Sequence, residues 1–135
     1  GGNDNAVVKT IYDPCPVGFK MPASNAFTGF TSNGQNQTIA ANINADGTNS
    51  QAKFDANYGH NFWTNSSKNK TIFFPASGFR RSGDGLFNGV GGGFFWSAVP
   101  KYTGSGCYLI FTWSQITPVW YDFRSYGFAA RPVSE

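Results

Sequence analysis

Apolar and polar positions along this chain fall into short runs broken every few residues by glycine, proline or asparagine, and no segment predicts a long helix. Val7 to Tyr12 reads as a first strand, stopped by Asp13-Pro-Cys-Pro-Val-Gly18. Ser24 to Phe30 suits a short helix capped by Ser24 or Asn25 and limited by Gly29. From Thr31 to Ser50 the chain is polar, with Ile39 and Ile43 as its only apolar anchors, which predicts a long loop or an exposed hairpin. Lys53-Phe54-Asp55 and His60 to Thr64 are brief strand candidates, and Thr71 to Pro75 is a clearer one closed by proline. Ser77 to Gly93 is dense in glycine and reads as loop. Phe94 to Ala98, Tyr108 to Trp113, Ile116 to Phe123 and Gly127 to Arg131 then predict a mainly antiparallel sheet. Period-two alternation in Tyr108 to Trp113 points Leu109 and Phe111 inward and leaves Tyr108, Ile110 and Thr112 outward.

Composition supports a strand-dominated α+β domain with short helices and long loops. Two leucines, six isoleucines and seven valines stand against twenty-four aromatic residues, so rings and small residues must build the core. Glutamate, common on helix surfaces, occurs only at Glu135. At 135 residues the chain predicts a single domain over residues 1–135, large enough for a core without metal support. The formal charge of +3 is scattered, with no phosphate-tracking stripe, so nucleic acid is not an expected partner. No apolar run has membrane-spanning length, and membrane insertion by this domain is not expected. Charged residues are 13% of the chain, about half the usual share, which suits a secreted or cell-surface protein.

The chemistry-bearing residues are sparse. His60 is the sole histidine and has no cysteine or histidine at zinc-site spacing, so a structural hydrogen bond is its expected role. Asp46, Asp55, Asp84 and Asp122 are isolated carboxylates, and no nucleophile elbow occurs. No catalytic residue, metal site or cofactor is expected, and the chain does not read as an enzyme. Cys15 and Cys107 leave two readings open, a disulfide across most of the chain or two separate buried thiols.

The last fifty-nine residues carry fourteen of the aromatic side chains but only one of the thirteen asparagines, Asn88. The chain as a whole also carries ordered motifs. Tyr12-Asp-Pro-Cys-Pro-Val-Gly-Phe-Lys-Met-Pro22, Pro75-Ala-Ser-Gly-Phe79, Phe95-Trp-Ser97, Tyr108-Leu-Ile-Phe111 and Arg124-Ser-Tyr-Gly-Phe-Ala-Ala-Arg-Pro-Val133 resemble, in order, the blocks of Bacteroidetes surface domains related to the Fibrobacter succinogenes major paralogous domain. The resemblance implies a C-type lectin-like fold, shared with formylglycine-generating enzymes and with the variable proteins of diversity-generating retroelements. In those variable proteins, ligand-binding residues lie between fixed blocks and arise by mutagenesis that favours asparagine codons.

Carried onto this chain, the resemblance implies that Trp96, Phe128 and Phe95 belong to the core. Arg80, Phe87, Phe94, Tyr108, Ile110, Trp113, Trp120, Tyr121, Asp122 and Phe123 then form a displayed ligand-binding surface. The expected function is ligand binding or cell adhesion toward a protein or glycan, at the C-terminal end of a longer surface or pilus-tip protein. The alternative is a structural domain of a fimbrial or lipoprotein assembly, whose aromatic strip packs on a neighbouring subunit. The calcium-binding tripeptides of sugar-binding lectins are absent from the sequence, as is the C-terminal cysteine pair of the formylglycine-generating enzymes.

Overall fold

The computed structural model describes residues 7–36 and 38–135 as a mixed α+β arrangement in which strands dominate and helices are few and short. In chain order the strands are β1 (Phe19–Lys20), β2 (Ala45–Asp46), β3 (Gly59–Trp63), β4 (Thr71–Pro75), β5 (Phe79–Arg80), β6 (Phe87–Asn88), β7 (Gly93–Tyr102), β8 (Ser105–Phe111), β9 (Ile116–Phe123), β10 (Ala129–Ala130) and β11 (Val133–Ser134). One α-helix, α1 (Gln51–Asn57), and two 3-10 segments (Ser24–Phe30 and Ala40–Asn42) complete it. The largest sheet has the order β10-β7-β8-β9, with β10 parallel to β7 and the other pairs antiparallel. A second sheet, β2-β3-β4, is antiparallel, and β1 pairs with β11, tying Phe19 and Lys20 to Ser134 and Val133.

The core fills the space between these sheets and is built from rings. Phe62 and Phe74 come from the β3–β4 hairpin, Phe95, Leu109 and Phe111 from β7 and β8, Ile116 from β9, Phe27 from the first 3-10 segment and Phe54 from α1. Phe62 meets Phe74 and Phe111 edge to face at 5.8 and 5.4 Å, and stacks on Phe30 at 4.0 Å. Such pairs contribute about 0.5–1.5 kcal/mol each beyond area burial. The inward assignment of Leu109 and Phe111 is correct. Gly93 faces Phe111 across the β7–β8 ladder, and a Cβ there would lie 2.1 Å from the Phe111 ring. Glycine is therefore required for the ring to lie flat across the neighbouring strand.

His60 is buried among Phe54, Phe62 and Phe111, and its Nε2–H donates to the Thr112 carbonyl at 3.0 Å, the structural role expected of it. Burial lowers its pKa, against a smaller opposing effect of the Thr112 carbonyl.

Several expected elements differ. Val7 to Tyr12 forms no strand: Val8 and Ile11 are exposed, and the segment offers no apolar face to bury. That segment instead braces the opening turn. Lys9 Nζ donates to the carbonyls of Cys15 and Phe19 at 2.6 Å each, while Asp13 accepts from the backbone N–H groups of Cys15 and Met21. Those two backbone bonds, Met21 first, hold the Asp13 carboxyl below its usual pKa.

Lys53-Phe54-Asp55 lies in α1, where the Ser50 side chain caps the Lys53 N–H and Phe54 alone is buried; three residues are too few to distinguish the two periods. The first 3-10 segment has Ala23 as its cap residue with no side-chain cap bond, and it runs through Gly29 to Phe30. Within the polar stretch before Ser50, Ile43 is buried, while Ile39 is exposed. Phe79–Arg80 and Phe87–Asn88 make a small hairpin inside the expected Ser77–Gly93 loop. Cys15 and Cys107 are separate buried thiols, so the disulfide reading falls and the opening is secured by Lys9 and Asp13.

Two outcomes test this packing. Phe62→Ala should cost about 3–5 kcal/mol in denaturant unfolding, since the ring is fully buried. Stability should fall as pH drops below about 6.5, because the unfolded chain binds a proton that buried, neutral His60 resists until its lowered folded pKa is passed. The His60 contribution is complete above that range, and His60→Phe should flatten this part of the pH profile. Asp13 acts separately, with its contribution lost only in the acid range below about 3.9.

Candidate ligand-binding surface

Alternation along β7 and β8 leaves Phe94, Trp96, Tyr108 and Ile110 on the face away from the core. The chain after β9 folds back across that face. Phe128 lies 4.5 Å from Trp96, 4.6 Å from Tyr108 and 5.3 Å from Phe94, and Tyr126 stacks on Phe128 at 5.6 Å. Phe79 closes the cluster against Phe94 at 4.7 Å. The backbone holds this cover in place: Arg80 and Gly127 exchange two N–H···O bonds, and Trp96 Nε1 donates to the Tyr126 carbonyl.

A second aromatic layer results, and it changes the assignment of three residues. Tyr108 was expected outward, yet it is only 4% exposed because Phe94, Trp96 and Phe128 pack over it. Burial, then the nearby Asp122 charge, pushes its hydroxyl pKa up to about 12. Trp96 and Phe128 were expected in the main core but lie half-buried in this outer layer, whereas Phe95 is in the core as expected. Arg124 and Arg131 donate to the carbonyls of Ser105 and Phe73, the structural use of arginine.

Three exposed rings stand along β9, an edge strand of the large sheet, while others, among them Tyr12, Tyr58, Phe87 and Trp113, lie elsewhere. Trp120 is 46% and Phe123 66% exposed, and Tyr121 is exposed beside them. Trp120 stacks on Tyr121 at 5.4 Å and 25°, and Tyr102, from the end of β7, meets Tyr121 edge to face at 5.5 Å. Lys101 Nζ lies 5.4 and 5.7 Å from the Tyr102 and Tyr121 ring centres, within cation–π range. Next to these rings opens a cleft of about 400 Å³, bordered by Trp120, Tyr121 and Lys101 and by Asn25, Gln35 and Asn36. Sequence reading missed Lys101, Tyr102 and these amide residues. Tyr102 could have been found from the hairpin, whose short Thr103–Gly104 turn sets β7 beside β8 and hence near β9.

The other expected residues are spread out. Arg80 and Phe87 pair on the β5–β6 hairpin, both exposed, but Arg80 Nη1 donates to the Gly85 carbonyl and the guanidinium is partly committed there. Arg81 pins the hairpin tip through a two-bond ion pair with Asp84, which lowers the aspartate pKa and raises that of the arginine. Phe94 and Ile110 are half-buried neighbours across the β7–β8 ladder. Asp122 is half-buried and accepts from the Phe123 N–H at 2.8 Å. Trp113 is exposed in the β8–β9 turn, at the opposite end of β8 from Tyr102, so it cannot join the Trp120 cluster. Among the described residues no group of three or more His, Cys, Asp or Glu could hold a metal ion, and no helix is long and apolar enough to cross a membrane.

Stability should separate the two classes of ring. Tyr108→Ala should cost about 3 kcal/mol or more, and Trp120→Ala less than about 1 kcal/mol, by chemical denaturation. Equal costs would place Trp120 in the structural class. Absorbance titration of the phenols should leave Tyr108 ionising at about pH 12.

No curated protein and no solved structure matches the chain. Residues 58–133, more than half of the chain and spanning β3 to the start of β11, match the family model described as Domain of unknown function (DUF8237). The chain therefore belongs to the DUF8237 family.

Proposed function

We propose that this domain is a non-catalytic, extracellular ligand-binding module of C-type lectin-like fold, which displays the β9 aromatic cluster toward a protein or glycan on a cell surface. The observation that carries the reading is the group of exposed rings, Tyr102, Trp120, Tyr121 and Phe123, held on strands whose own packing does not need them. Large rigid aromatics bury much area on binding at small entropic cost. The adjoining cleft bordered by amide residues favours a glycan, since amides can donate to and accept from hydroxyls while a sugar ring lies on the exposed indole.

Two features support the fold and family reading. The mixed, strand-dominated architecture with few short helices is compatible with the C-type lectin-like resemblance, and the β1–β11 pairing joins Phe19 and Lys20 to Ser134 and Val133. The scarcity of asparagine after Ser77, with aromatics at positions between the resembling blocks, fits replacement of template asparagines by retroelement mutagenesis. On this reading the domain belongs to a longer exported Bacteroidetes surface or pilus-tip protein.

A glycan array, followed by calorimetry on the best ligand, tests the proposal. Trp120→Ala with Tyr121→Ala should weaken binding at least tenfold, with the unfolding midpoint nearly unchanged. Absence of any glycan or cell-surface protein ligand, together with ring-dependent self-association in sedimentation, would favour the structural role in an assembly instead.

A further inference from the structure

A larger cavity lies away from β9. It occupies about 540 Å³ between the first 3-10 segment, the β3–β4 hairpin and the chain at 131–133. Phe27, Phe30, Trp63, Ile72 and Phe74 line it, giving a mostly aromatic wall. Phe30 and Ile72 are only partly buried although both pack on the main core, so apolar surface is left open to whatever enters. The volume falls in the range of small-molecule sites, roughly 300–1,000 Å³.

The charge around this wall has one sign. Lys68 and Arg131 are the charged residues that line the cavity, and no aspartate or glutamate does. The Arg131 guanidinium is anchored, and Lys68 is carried on a closed turn. The Arg131 guanidinium stands 4.9 Å from the Phe74 ring centre and donates from Nη1 to the Phe73 carbonyl at 2.8 Å. A guanidinium has five N–H donors, so this anchor uses only part of its capacity. Lys68 sits in the left-handed region, at φ 50°, within a turn closed by Asn65 Nδ2 donating to Asn69 Oδ1 at 2.6 Å and by the Lys68 N–H on the Asn65 carbonyl. Asn44 and Asn65 also line it, their amide nitrogens donating to the Gly29 carbonyl and to Asn69 Oδ1.

We propose that this cavity binds an amphipathic monocarboxylate, with its hydrocarbon body against the aromatic wall and its carboxylate at Lys68 and Arg131. Lys68 is exposed and solvated in the free protein, so an uncharged apolar molecule would gain nothing from the two cations, and a small inorganic anion would leave the rings uncovered. A ligand with both parts uses both features, and charge-assisted hydrogen bonds are the stronger kind. The site is independent of the β9 surface, so it can fail while the proposed function stands.

Decanoate below its micelle concentration is a suitable probe, followed by calorimetry and by amide chemical shifts. Saturable binding with shifts at Trp63, Ile72 and Arg131 is expected. Lys68→Glu should weaken it at least tenfold, Lys70→Gln should leave it unchanged as a charge control outside the cavity, and decanamide should bind at least tenfold more weakly than decanoate. Ala26→Trp, which fills the cavity from its exposed side, should abolish binding while the protein stays folded. No saturable binding, equal binding of decanamide, indifference to Lys68→Glu, or shifts centred on Trp120 would each overturn the proposal.

Discussion

Everything in this domain depends on β7 and β8 burying aromatic rings on both of their faces. One face sends Phe95, Leu109 and Phe111 into the core against the β3–β4 hairpin; the other sends Phe94, Trp96 and Tyr108 beneath Phe128 and Tyr126. A strand pair with only one packed face would leave the second set of rings as a large exposed apolar area. Here the segment after β9 supplies the missing cover, secured by the paired Arg80 and Gly127 backbones and by Arg124 on the Ser105 carbonyl.

That cover has an edge, and the candidate binding surface begins where it ends. Trp120 lies opposite Tyr108 in the β8–β9 ladder, yet one is exposed and the other buried, because Phe128 reaches Tyr108 and the edge strand lies farther out. The rings of β9 thus stand on a rigid strand whose inner neighbours are fixed by packing. Rigid elements hold a contact surface more accurately than loops do. Contact with Tyr102 and Lys101 extends the surface onto the adjoining hairpin, and the cleft beside it is walled by residues from the first 3-10 segment and the loop at 34–36.

How much of this was legible in the sequence depends on how local the signal is. Thr71–Pro75 and Ile116–Phe123 coincide with β4 and β9, because alternation and a closing proline or aromatic end are local signals. The inward direction of Leu109 and Phe111 follows from period two alone. The same alternation put Tyr108 outside, since a period identifies the two faces of a strand but not whether the second face is covered by chain twenty residues later. Val7–Tyr12 failed for a related reason: strand propensity needs a packed face, and Val8 and Ile11 stay exposed. Trp113 and Trp120 look equivalent in sequence, but Trp113 lies in the β8–β9 turn while Trp120 pairs with Tyr108 midway along β8, which only the register shows.

The division of rings into a buried and a displayed class can be read directly by photochemically induced nuclear polarisation, which enhances only those tyrosines and tryptophans that a dye in solution can touch. The account predicts strong enhancement of Tyr102, Trp120 and Tyr121 and none of Tyr108. Enhancement of Tyr108, or silence of Trp120, would mean that the cover over the second face is misassigned and that the β9 rings are not the surface this domain displays.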